Sequence, residues 1–333
     1  MVKKITIFTF LLFFSFVNAI TLEIGGDIML SRTVWYLNKK YYNWTFSIYN
    51  PFCENKTDII LANLESPLVY KNDNDYKYKT FIFKANHKSV KILNEIKKCS
   101  NKKILILNLA NNHIRNWWIQ GLKDTINILN KNWIYYFGAW LTPKLSHKIL
   151  EIQIDNQKLC FQGYSYDWWY KNGIAVNSIT KKWIKIDIEK MKNLKCNYKI
   201  IVLHWGREYR FRPLKRQKDL AHWLIKQGVN LVIGWHSHVP WPVEKYKNWY
   251  IFYSLWNTIF DQNWWLWYYD KTMDTITVNK KKYVPTFIWS LFDFDLKKNL
   301  IYNMVIFKIN YWRLERISKN FKKEILKIFN LYK

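Results

Sequence analysis

The sequence predicts an α/β domain, and three observations predict it. Apolar runs of strand length recur along the chain, among them Asp58–Leu64 (DIILANL), Lys103–Ala110 (KILILNLA) and Lys199–Leu203 (KIIVL). Polar residues of site-forming type close these runs. Stretches of helical period follow several of them, so strand, polar residue, helix, strand becomes the recurring order.

The elements follow from local pattern. Residues Met1–Ala19 carry two lysines, an apolar run from Ile5 to Val17 and the small-residue site Val17-Asn18-Ala19. That is a signal-peptide pattern, and the run is too short to span a bilayer comfortably. An uncleaved anchor is the alternative, and either one places the remainder outside the cytoplasm. Thr21–Ile24 reads as a strand ending in Gly25-Gly26-Asp27, and Asp58–Leu64 as a buried strand closed by Glu65. Lys71–Lys79 is loop-like, Tyr78–Ala85 alternates like a strand, and Asn86–Lys98 has helical spacing. The run Lys103–Ala110 enters Asn111-Asn112-His113 and then a helix over Ile119–Asn130, with Leu122, Ile126 and Leu129 on one face. Ile134–Phe137 is strand-like. Asp155-Asn156 forms the turn of a hairpin between Ile149–Ile154 and Lys158–Gly163. Ile184–Leu194 is helical. Pro213–Gly228 is a helix with proline near its start and glycine past its end. Asn230–Ile233 and Tyr250–Leu255 are strands, and Phe287–Phe294 with Leu300–Ile309 forms a β pair. Residues 313–333 read as a basic amphipathic helix, suited to the protein surface or to a membrane surface. With no repeat and no long linker, residues 20–312 make one domain.

The formal net charge is +29. It admits an anionic polymer or anionic surface as partner. The charge is scattered, and no helix-turn-helix or zinc-finger spacing points to nucleic acid. Cys53, Cys99, Cys160 and Cys196 are widely and irregularly spaced, which suggests ordinary buried or partly paired cysteines.

Candidate site residues fall at strand ends, where open α/β sheets place their sites. They are Asp27, Glu65, Asn112, His113, His204, His236 and His238. Carboxylate, amide oxygen and imidazole together suit a divalent ion such as Mn, Fe or Zn. The segments around them are GGDIMLSR (Gly25–Arg32), ANLESPL (Ala62–Leu68), LANNH (Leu109–His113), GLKDT (Gly121–Thr125), LHWGREY (Leu203–Tyr209), IGWHSHV (Ile233–Val239) and FYSLWNTIFDQ (Phe252–Gln262). In this set and order the chain resembles the CapA family of capsule and poly-γ-glutamate biosynthesis proteins, itself similar to calcineurin-like metallophosphoesterases. The resemblance implies a metallophosphoesterase-like sandwich of two mixed sheets flanked by helices. It implies Asp27, Glu65, Asn112, His204, His236 and His238 as metal ligands and His113 as general acid, with Glu208 facing the substrate or supporting the ligands. It makes the YSLxN residues Tyr253 and Asn257 structural. The function implied is an exported protein of capsule or cell-envelope polymer assembly, a metal-dependent hydrolase of phosphoester or amide type. The alternative is a non-catalytic surface protein that binds an anionic polymer.

One departure concerns tryptophan. The chain has 20 Trp and 9 Gly, where about 7% glycine would give roughly 23. Trp118, Trp133, Trp140, Trp235, Trp249 and Trp256 stand where the resemblance or a short turn calls for glycine. A genome in which UGA encodes glycine, read with a table that makes UGA tryptophan, produces this pattern. The rival is a set of true tryptophans forming a sugar-binding or membrane-interface surface.

Overall fold

Successive side chains of a strand face opposite sides, and here both sides of two sheets are covered. The computed structural model describes residues 19–41, 44–46, 50–70, 82–166, 170–171, 173–261, 276–278, 281–283, 288–298, 300–310 and 313–316. The first sheet runs in the order Arg313–Arg316, Leu300–Asn310, Ile288–Asp295, Thr21–Ile28, Ile59–Leu64, Ile104–Asn108, Tyr135–Phe137, and Asn257–Ile259 also pairs with Thr21–Ile28. The second runs Val243–Tyr246, Trp249–Phe252, Leu231–Trp235, Tyr198–His204, Gln157–Ser165, Leu150–Ile154. In the first sheet pairing is parallel from Thr21–Ile28 out to the edge at Tyr135–Phe137 and antiparallel from Thr21–Ile28 to Arg313–Arg316. In the second it is parallel in the middle and antiparallel at both margins, so both are mixed.

Between the sheets lie Leu22, Leu61, Ile106, Phe161, Val202 and Ile233 in one apolar cluster. The outer face of the first sheet, with Ile60 and Leu107, packs on Val90–Cys99 and Trp118–Lys131 through Leu93 and Leu122. The outer face of the second, with Ile201 and Val232, packs on Lys181–Asn193 and Lys215–Lys226 through Ile188 and Leu224. The fold is therefore a four-layer sandwich, helices outside and two sheets within. Because strands of the middle layers are buried on both faces, their sequences are continuous apolar runs.

The hairpin across Asp155-Asn156, the helices after Asn112 and Pro213 and the C-terminal β pair are present with ends shifted by a few residues. Three expectations change. Arg313–Arg316, expected to open a helix, is a strand paired with Phe307–Asn310; residues 317–333 lie outside the described residues, as do residues 1–18 and the loop at 71–79. Strand structure near Tyr78–Ala85 is confined, among the described residues, to Ala85–Asn86. All four cysteines are paired, Cys53–Cys99 with Cα atoms 4.7 Å apart and Cys160–Cys196 with Cα atoms 5.9 Å apart. The first ties a 3₁₀ turn to the helix Val90–Cys99, and the second ties a central strand to the chain that follows Lys181–Asn193.

Candidate metal centre

Parallel registration assembles the centre. Asp27 lies opposite Asn63 and Asn257, Asn63 opposite Asn108, and His204 ends the strand next to Trp235. The C-terminal ends of both sheets thus deliver polar residues to one place. Close backbone approach makes this possible: a Cβ on Gly26 would stand 2.1 Å from the Trp256 carbonyl oxygen, so only glycine fits there.

Two overlapping groups of donor atoms result, Glu65 with His204 and His236, and Asp27 with Glu65 and His238. Glu65 belongs to both. His204 Nε2 is 2.9 Å from Asn112 Oδ1, 3.1 Å from His236 Nδ1 and 3.3 Å from Glu65 Oε1. His238 Nδ1 is 3.5 Å from Asp27 Oδ2 and 2.9 Å from Asn257 Oδ1. With Asn257 Oδ1 accepting, Nδ1 carries the proton and Nε2 keeps its lone pair. This gives Asn257 of the YSLxN segment an orienting role. The loop carrying the histidine pair is strained: His236 has φ 91° and His238 φ 54°. Such angles cost energy and persist where surrounding structure imposes them.

Asp27, Glu65, His204 and His238 are buried. Burial, then the neighbouring Glu65 carboxylate, push the Asp27 carboxyl well above its usual range. Burial lowers His204, His236 and His238 to about 3, so all three are neutral imidazoles near pH 7. Two buried carboxylates held close together, beside three neutral nitrogen donors, form a donor set that a divalent cation would satisfy. The residues fit the ion their types suggested.

His113 lies beside this set. Its Nδ1 is 2.9 Å from Asn116 Oδ1, and Phe83 stacks on its ring at 4.0 Å. Burial holds it to about 3. Glu208 belongs to neither donor group; it stands on the exposed loop after Gly206, near enough for its charge to act on Asp27 and His236.

Two features escaped the sequence. Asn63 donates to Asp27 Oδ1 at 2.9 Å and to Glu65 Oε2, while its own Oδ1 accepts from Asn108 at 2.8 Å and Asn111 at 3.1 Å. One amide thus holds both carboxylates. Its signal was a polar residue inside the apolar run IILANL. The second is the buried pair of Arg32 and Asp261, with the Arg32 guanidinium 4.5 Å above the Phe83 ring. GGDIMLSR and IFDQ contained both residues but not their meeting.

Comparison with known proteins matches residues 21–262 to the family model described as bacterial capsule synthesis protein PGA_cap. The chain is 30% identical over 257 residues to capsule biosynthesis protein CapA of Bacillus anthracis, covering 74% of this chain and 61% of that one. It is 30% identical over 247 residues to PGA biosynthesis protein CapA of Bacillus subtilis strain 168, covering 72% and 63%. The chain thus spans less than two thirds of the length of these two relatives. A solved structure described as a novel phosphatase from Mycoplasma pneumoniae aligns over 94% of this chain and 99% of that one, with 14% identity and a TM-score of 0.47.

Proposed function

The chain belongs to the bacterial capsule synthesis protein family, and from that premise we propose that it is an extracytoplasmic, metal-dependent hydrolase of phosphoester or amide bonds in capsule or cell-envelope polymer assembly. The observation that carries the reading is Glu65, shared by two donor groups. Asn112, His204 and His236 would hold one ion with Glu65, and Asp27 and His238 a second. Bound there, such ions polarise a phosphoryl or acyl oxygen and lower the pKa of a coordinated water.

The chain's own residues do the rest. Asn63 fixes both carboxylates, and Asn257 fixes the tautomer of His238. Asn116 aligns His113, which starts as a neutral imidazole. An anionic substrate beside it would favour its protonated form, from which it would protonate the leaving group. Two disulfides support the location, since such bonds persist in oxidising compartments.

Metal analysis of purified protein, with hydrolysis assays on p-nitrophenyl phosphate and poly-γ-glutamate, tests this reading. We expect His236→Ala to lose both metal and rate. His113→Ala should keep metal and lose about 10²- to 10⁴-fold in rate, the usual share of a general acid. A wild-type protein that binds no metal and cleaves neither substrate retires the enzyme. The reading left is then a surface protein that binds an anionic polymer through its charge.

A further inference from the structure

Of the 53 Lys+Arg residues only eight are arginine, and four of these fall at Arg207, Arg210, Arg212 and Arg216, directly after His204. The segment is held against the centre. Tyr209 N donates to Ser237 O at 2.8 Å, between the two histidines, and Trp241 Nε1 donates to the Arg210 carbonyl. Tyr209 and Phe211 pack against the core, while the four arginines are exposed. Arginine, unlike lysine, presents a planar fork matched to carboxylate and phosphate. Tyr209 and Phe211 are half-buried, and Arg216 stands 5.4 Å over the ring of the exposed Tyr166, so the charge carries the site and the DNA arm of the test below checks for base stacking.

We propose that these four arginines form a docking rail that leads a chain of carboxylates to the metal centre. The proposal rests on the polymer reading above. The probe is poly-γ-glutamate of defined length, titrated into the full chain at several salt concentrations. Arg207→Gln/Arg212→Gln/Arg216→Gln should bind it about tenfold more weakly, with a shallower salt dependence. Metal content and p-nitrophenyl phosphate hydrolysis should be unchanged in this variant, so failure of the rail is distinguishable from failure of the hydrolase. Unchanged affinity, or single-stranded DNA bound as tightly as the polyglutamate, overturns the rail.

A second inference rests on the backbone. Among the described residues three tryptophans have left-handed φ: Trp118 at 47°, Trp133 at 53° and Trp256 at 73°. All three are among the six glycine-like positions of the sequence. Trp133 shows why. Its N–H bonds to Asn130 O at 3.1 Å and that of Ile134 to Leu129 O at 3.0 Å, the paired bonds of a Schellman helix end. The helix Lys215–Lys226 ends with the same two bonds, and there the equivalent position is Gly228, at φ 93°. Trp118 and Trp133 are 72% and 82% exposed, so no burial repays a large side chain at either. Trp140, Trp235 and Trp249 have ordinary φ and give no such argument.

The geometry points to glycine at 118, 133 and 256 in the protein the cell makes. Position 256 matters most, because its carbonyl accepts from Asp27 N at 2.9 Å, directly under the centre. Peptide mass spectrometry on protein from its own source, read beside the coding DNA, decides the matter. Glycine at the three positions, encoded by UGA, is expected; tryptophan encoded by UGG at any of them overturns the inference.

Discussion

Glu65→Gln is expected to abolish metal binding and hydrolysis while making the metal-free protein more stable. The two effects have opposite signs because Glu65 has two relations. Towards a cation it is the donor common to both groups. Loss of an outer-shell partner alone costs about 10- to 100-fold in affinity or activity, so loss of the shared carboxylate should cost at least about a hundredfold. Towards Asp27 it is a buried like charge that raises the Asp27 pKa. Glutamine keeps the size and an oxygen for the Asn63 amide, and removes the repulsion. Metal content and melting curves with and without chelator read both effects. A variant that keeps its full metal complement, or whose chelated form melts below chelated wild type, refutes this account.

Reduction of the disulfides should cause the largest loss of stability that leaves every site residue in place. The paired cysteines are 46 and 36 residues apart. In the chain-entropy account each closure of this size is worth about 4 kcal/mol. Thermal melts of the metal-loaded protein, with and without a phosphine reductant, measure the loss. Replacing Cys160 and Cys196 by serine, and separately Cys53 and Cys99, apportions it. A melting temperature that does not move on full reduction contradicts the expectation.

The strands were legible because burial on both faces writes a continuous apolar run, as in Ile59–Leu64 and Ile104–Asn108. The ends of those runs made Asp27, Glu65, Asn112 and His204 legible as candidates. Asn63 was not, since one amide inside an apolar run does not show what it will bond. Arg32 and Asp261 lie 229 residues apart, and only the folded chain joins them. The same holds for the cysteine pairing. At Arg313 the local signal was ambiguous: RLER suits a helix face as well as a strand, and pairing of Leu314 with Ile309 decides for the strand. Trp133 shows the reverse case, where composition and turn chemistry marked a residue whose φ then agreed.

The segment matched by the family model stops at residue 262, yet the strand bearing Asp27 does not rest on that segment alone. Thr21–Ile24 pairs antiparallel with Phe292–Asp295, and Phe292 and Phe294 fill the space between the sheets. The unit of homology is therefore shorter than the unit of folding. A chain cut after the last shared motif would leave Thr21–Ile24 as an open sheet edge beside a gap in the core, an invitation to aggregate. A shortened chain that keeps the fold around Asp27 has to carry the distal β pair, although no candidate ligand lies in it.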